Sequence, residues 1–137
     1  MRGEEPVLLR FGRFELDLVR QELRRDGARV RLQPQPFKLL ALLARRSGDL
    51  VTREELQRAL WGESTFVDFE QGLGFCVRQV RSALGDAARS PVYLETLPRR
   101  GFRFLAPVKT LAPGPPNLAA RLLRWARALF PRVPKLL

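Results

Sequence analysis

An α+β fold is predicted by three observations in chain order. Residues Val7 to Leu32 alternate short apolar and charged stretches between turn signals, residues Pro34 to Leu84 carry helical periodicity, and alternation returns around a Pro-Arg-Arg turn between Val92 and Leu105. An N-terminal antiparallel sheet, a three-helix core and a C-terminal β-hairpin in that order make a winged helix-turn-helix, the hairpin being the wing.

In the first segment, LLRFGRFELD and ELRRDGARVRL read as three or four strands. Asp26-Gly27 sets a hairpin there, because the tight turn needs positive φ at its central positions and Gly and Asp tolerate it best. PQPFKLLALLARRSG carries the first helix: Pro36 suits the first turn, Gly48 a C-terminal cap, and Phe37, Leu40, Leu43 and Ala44 share one face. The second helix opens on Thr52-Arg53-Glu54-Glu55, a capping box in which the Thr hydroxyl and the Glu55 carboxylate accept from otherwise unpaired backbone N–H groups. It ends near Trp61-Gly62, where Trp61 reads as an interior anchor. After the loop Gly62–Val67, Asp68 is placed to cap the third helix, with Gln71 positioned to reach back. Leu73, Val77, Val80 and Leu84 recur at spacings of four, three and four; each is worth roughly 1.5–3 kcal/mol on burial and the stripe must pack inward. The other side carries Gln71, Gly74, Phe75, Arg78, Gln79, Arg81 and Ser82, giving the helix one face for the core and one for a partner. Val92–Thr96 and Gly101–Leu105 then form the hairpin around Leu97-Pro98-Arg99-Arg100.

The expected organisation is an N-terminal tail at 1–6, the winged-helix domain at 7–108, a Pro-rich linker at 109–116 and a basic amphipathic tail helix at 117–137. APGPP at Ala112–Pro116 can continue neither helix nor sheet. Beyond it, Leu118, Leu122, Trp125, Ala126 and Leu129 share one side while Arg121, Arg124 and Arg127 cluster on the other. A poorly ordered basic terminus and an element that docks on the domain's own sheet, on a partner or on an anionic membrane surface are open readings of that pattern.

Composition favours a polyanionic partner: 25 Lys+Arg against 14 Asp+Glu in 137 residues give a net charge of +11. The single cysteine, Cys76, excludes an intramolecular disulfide and reads as packing. Arg2, Glu4, Glu5 and Arg10 break any signal-peptide pattern, and no uncharged apolar run reaches about 18 residues, so a cytoplasmic location is expected. Without histidine there is no base for a Cys nucleophile and no metal-ligand cluster, and no Gly-rich phosphate cradle occurs. Neither an enzyme nor a cofactor is expected.

A basic helix followed by a two-arginine wing suits the major groove and the neighbouring minor groove of double-stranded DNA. Between Gln71 and Thr110, seven cations (Arg78, Arg81, Arg89, Arg99, Arg100, Arg103, Lys109) stand against Asp86 and Glu95, a net of +5. The expected DNA-binding set is Gln71, Gly74, Phe75, Arg78, Gln79, Arg81, Arg99 and Arg100. Arg78 and Arg81 read as phosphate contacts on the open face. Gln79 can pair with both N6 and N7 of adenine, worth roughly 1–3 kcal/mol of discrimination. Phe75 either meets a thymine methyl or deoxyribose or packs at the periphery. Arg99 and Arg100 are not needed for the turn and suit a narrow, strongly negative minor groove. The competing reading is a protein- or membrane-surface interaction module on the same scaffold, with DNA binding weak or lost.

Six motifs carry a family resemblance: FGRFELD (Phe11–Asp17), LQPQPFKLL (Leu32–Leu40), VTREEL (Val51–Leu56), LWG (Leu60–Gly62), FVDFEQGLGFCVRQVRSALGD (Phe66–Asp86) and YLETLPRRGFRF (Tyr93–Phe104). In this order and spacing, over about Val7–Val108, the chain resembles the OmpR/PhoB-type winged helix-turn-helix DNA-binding domain in its CadC/ToxR-like transcriptional-regulator branch. The resemblance implies a four-stranded N-terminal sheet and sequence-specific binding of double-stranded DNA, with the third helix in the major groove, as a bacterial-type transcriptional regulator. It further implies head-to-tail homodimers on direct repeats and contact with RNA polymerase through the loop before the recognition helix, here Glu63, Ser64 and Thr65. Two departures follow from the same alignment. Gln79 stands where well-known relatives read a base with Arg, and the wing arginine that enters the minor groove aligns with Pro98 rather than Arg99.

Overall fold

In the computed structural model, which describes residues 8–62 and 68–111, four short strands come first: β1 (Leu8–Phe11), β2 (Phe14–Asp17), β3 (Glu22–Arg25) and β4 (Ala28–Val30). Helix α1 (Pro34–Arg45) follows, then β5 (Leu50–Thr52), α2 (Arg53–Trp61), α3 (Phe69–Leu84), β6 (Leu94–Leu97), β7 (Gly101–Phe104) and β8 (Lys109–Leu111). They build two antiparallel sheets, one of five strands in the order β4-β3-β2-β1-β8 and one of three in the order β5-β7-β6. The expected sheet, three helices and wing are all present.

Two strands go beyond the expectation. β5 precedes the capping box, so Thr52 both ends a strand, opposite Gly101, and caps α2. β8 corrects the domain edge drawn at 108: Lys109, Thr110 and Leu111 pair with Arg10, Leu9 and Leu8, so what was expected as the start of a linker is a fifth strand. The APGPP segment, the amphipathic tail, residues 1–7 and the loop residues Glu63, Ser64 and Thr65 lie outside the described residues.

Helix α1 begins at Pro34 and holds both Pro34 and Pro36 in its first turn, as expected, where a missing N–H costs no helical bond. It ends at Arg45 with Arg46 as cap, so Gly48 is not the cap but a turn residue at φ +91° that donates its N–H to Phe104 O at 2.9 Å and leads the chain into β5. Eight α1 residues are buried, Pro36, Phe37 and Leu39 through Ala44. That exceeds one face because α1 is packed against α3, α2 and β7 together. The α2 capping box forms as read: Thr52 Oγ1 accepts from Glu55 N at 3.1 Å, and Glu55 Oε1 accepts from Thr52 N at 2.9 Å.

Cross-strand partners Leu9, Leu16 and Leu23 form a fully buried row of the larger sheet, within the same hydrophobic core as the buried helix residues. An aromatic cluster joins the two sheets. Phe11 meets Phe104 edge-on at 5.0 Å and Tyr93 at 5.7 Å, and Tyr93 meets Phe14 at 5.6 Å. Among the described residues no helix is long and apolar enough to cross a membrane.

Candidate nucleic-acid interface

Helix α3 is divided along its length. Leu73, Cys76, Val77, Val80 and Leu84 are buried, and α3 packs mainly on α1. Gln71, Phe75, Arg78 and Ser82 are exposed, at spacings of four, three and four, and so form one solvent-facing stripe. Gly74, Gln79 and Arg81 are half-buried at its borders, which makes the open face narrower than the expected set of residues. Phe75 is 39% exposed, an apolar ring displayed in the middle of the stripe. At Gly74, a Cβ would stand 3.3 Å from an Arg78 guanidinium nitrogen, so that glycine leaves room for the arginine one turn on.

The start of α3 is fixed by local chemistry. Asp68 Oδ1 accepts from Gln71 N at 3.2 Å, the first half of the expected cap pair. Gly72 is needed for close approach: a Cβ there would fall 2.8 Å from Cζ2 of Trp61, whose ring meets Phe69 edge-on at 5.6 Å. Trp61 thus anchors the end of α2 against the first turn of α3, half-buried rather than interior. Arg53, not singled out by the sequence reading, ties three elements together. It pairs with Glu70, its guanidinium lies 5.9 Å from the Phe69 ring centroid, and its backbone N–H donates to Arg100 O at 3.2 Å.

The wing turn runs Leu97-Pro98-Arg99-Arg100-Gly101, closed by Arg100 N donating to Leu97 O at 2.9 Å. Arg99 takes a left-handed φ of +66° and Gly101 a φ of +155°. Gly101 also faces the β5 backbone so closely that a Cβ would sit 2.0 Å from Val51 O. Arg99 and Arg100 are both exposed. Arg103, by contrast, is committed to a cross-strand ion pair with Glu95 at 2.8 Å.

Arg81 corrects the expectation of an open-face phosphate contact. Its Nη2 donates to Leu94 O and to Thr96 Oγ1, each at 2.9 Å, so the guanidinium is turned onto β6. Its Nε–H is buried without an acceptor among the described residues, which costs roughly 1–3 kcal/mol. Asp86 is a second residue the sequence reading passed over. It follows the left-handed Gly85 that ends α3, and its carboxylate accepts from the backbone N–H groups of Val92 at 2.7 Å, Leu94 at 2.9 Å and Tyr93 at 3.2 Å. An acid placed directly after a helix-ending glycine and ahead of a strand was the available signal.

Cys76 is 1% exposed, and burial pushes its thiol up to about 11, so it stays protonated at neutral pH and serves packing. No group of three or more His, Cys, Asp or Glu among the described residues is arranged to hold a metal ion.

The family described as "transcriptional regulatory protein, C terminal" matches residues 27–104. The chain belongs to this family. Within its OmpR/PhoB-type winged-helix fold, the chain is 35% identical over 103 residues to the transcriptional regulatory protein KdpE of Mycobacterium tuberculosis, covering 75% of this chain and 45% of that protein. It is 32% identical over 84 residues to the cholera toxin homolog transcriptional activator of Vibrio parahaemolyticus, covering 61% of this chain and 29% of that one. The solved DNA-binding domain of E. coli CadC superposes with a TM-score of 0.64 at 26% identity, over 78% of this chain and 99% of that domain. The chain therefore spans less than half the length of these curated relatives.

Proposed function

We propose that this chain binds double-stranded DNA sequence-specifically as a transcriptional regulator, with α3 in the major groove and the β6–β7 wing at the adjacent minor groove. One observation carries the reading: Arg78 on α3 and Arg99 and Arg100 on the wing turn are exposed, with no ion pair to any described acid, on two elements held side by side. Exposed arginines without internal partners are free to neutralise phosphate. Between them, Gln71, Phe75 and Gln79 offer an amide, an apolar ring and a second amide to base edges. The relatives named as transcriptional activators or regulators support the regulatory role, and action on DNA places the domain in the cytoplasm. Head-to-tail pairing on direct repeats and polymerase contact through Glu63, Ser64 and Thr65 extend the same reading from the family resemblance.

The test is selection of an enriched sequence from genomic DNA fragments, followed by fluorescence anisotropy on that site over a range of salt. Three phosphate-neutralising arginines give a log–log slope of about −2.7. A flat salt response, or no enriched sequence, overturns the proposal.

A further inference from the structure

The last turn of α3 and the residue after its glycine cap hold β6 and the segment leading into it at two points. Arg81 donates to Leu94 O and Thr96 Oγ1, and Asp86 gathers the N–H groups of Val92, Tyr93 and Leu94. Among the described residues β6 is an edge strand of its sheet, paired with β7 alone. Among the described residues these Arg81 and Asp86 contacts are the side-chain bonds to the outer side of this short edge strand, and short strands twist readily. The arginine turn begins one residue beyond Thr96.

We propose that Arg81 is a positioning residue: through Thr96 and Leu94 it sets the angle between α3 and the wing, and so decides whether Arg99 and Arg100 reach the minor groove while α3 is seated in the major groove. This rests on the reading that both elements bind DNA. Arg81 then acts through the wing rather than by neutralising a phosphate itself, and its positive charge is not the property that matters most. Thr96, which carries no charge and accepts this bond, belongs to the same device.

The test uses the full chain and its selected DNA site, with R81M and T96V each made in the native and in the R99A/R100A background. T96V removes an acceptor but no charge. It is expected to weaken binding about 3- to 10-fold, and R81M about 10-fold or more, with both effects falling below about twofold once the wing arginines are gone. T96V also makes the salt slope shallower, because misplaced wing arginines release fewer counterions. R78A keeps its full effect in the R99A/R100A background, which checks DNA binding by α3 separately. If T96V is silent while R81M loses the same factor in both backgrounds and reduces the slope by about 0.9, Arg81 is a phosphate anchor and the proposal is overturned. If the native chain shows no salt-dependent DNA binding, the functional reading fails and hydrogen exchange decides the latch. Faster exchange of the Leu97–Gly101 amides in T96V, with α3 unchanged, supports it, and unchanged exchange there overturns it.

Discussion

Replacing Gly101 by Ala should uncouple the wing from the helical core. The added Cβ would lie 2.0 Å from Val51 O and 2.9 Å from both Thr52 Cα and Val51 C, all backbone atoms. Carbon contacts settle at about 3.5–4.0 Å, so β5 and β7 must separate by more than about 1 Å. Neither strand is free to yield. Thr52 is locked by its own capping box, and Arg53 N is bonded to Arg100 O just beyond the clash. Overpacking costs about 1–3 kcal/mol, and an alanine held at φ +155° adds about 1–3, so the loss is roughly 2–6 kcal/mol. For a domain of this size each kcal/mol moves Tm by about 4–8 °C, and G101A should therefore melt at least about 8 °C below the native chain. Calorimetry or far-UV circular dichroism measures this. Anisotropy on the selected site should show the affinity falling with it, because Arg99 and Arg100 precede the displaced residue. A Tm drop below about 4 °C would refute the argument, since it would mean that β5 and β7 can part without cost.

Replacing Gln79 by Ala should relax discrimination at one base position, whereas Arg78→Ala should weaken binding to all sequences alike; a panel of single-base site variants separates the two patterns. A chain ending at Leu111 should melt about 5–10 °C higher than one ending at Pro107, because the shorter one loses three residue pairs of β8 with β1. The Glu55 carboxyl is raised by burial, but the Thr52 N–H and Arg46 outweigh this and hold it below its ordinary 4.5. Its contribution to stability is therefore present above pH 4.5 and lost as pH falls through the lowered value, so E55Q should cost more Tm at pH 7 than at pH 3.

What was legible in the sequence was what local chemistry decides. The Asp26-Gly27 turn, the Thr52–Glu55 box, the Asp68 cap and the Leu73-Val77-Val80-Leu84 stripe each depend on residues within one or two turns of one another, and each stands where it was read. β5 and β8 were not legible for the converse reason. Three residues carry too short an alternation to register, and these strands exist only because Phe102 and Leu9, distant in the chain, supply their partners.

The candidate site divides along the same line. Helical spacing orders the Cα positions around α3, so it separates Leu73 and Val80 from Gln71 and Arg78 without error. It says nothing about where a long side chain ends. Arg81 starts from a border position and has enough rotatable bonds to travel either outward to solvent or sideways to β6, and the choice depends on two acceptors, Leu94 O and Thr96 Oγ1, brought there by the turn at Gly85 and Asp86. A wheel that counts Arg81 as surface charge therefore overstates the charge that α3 itself offers to DNA by one and misses a contact that fixes the wing. For a winged helix the two errors are linked, because the cation withdrawn from the helix face is the one that aims the two arginines at the tip.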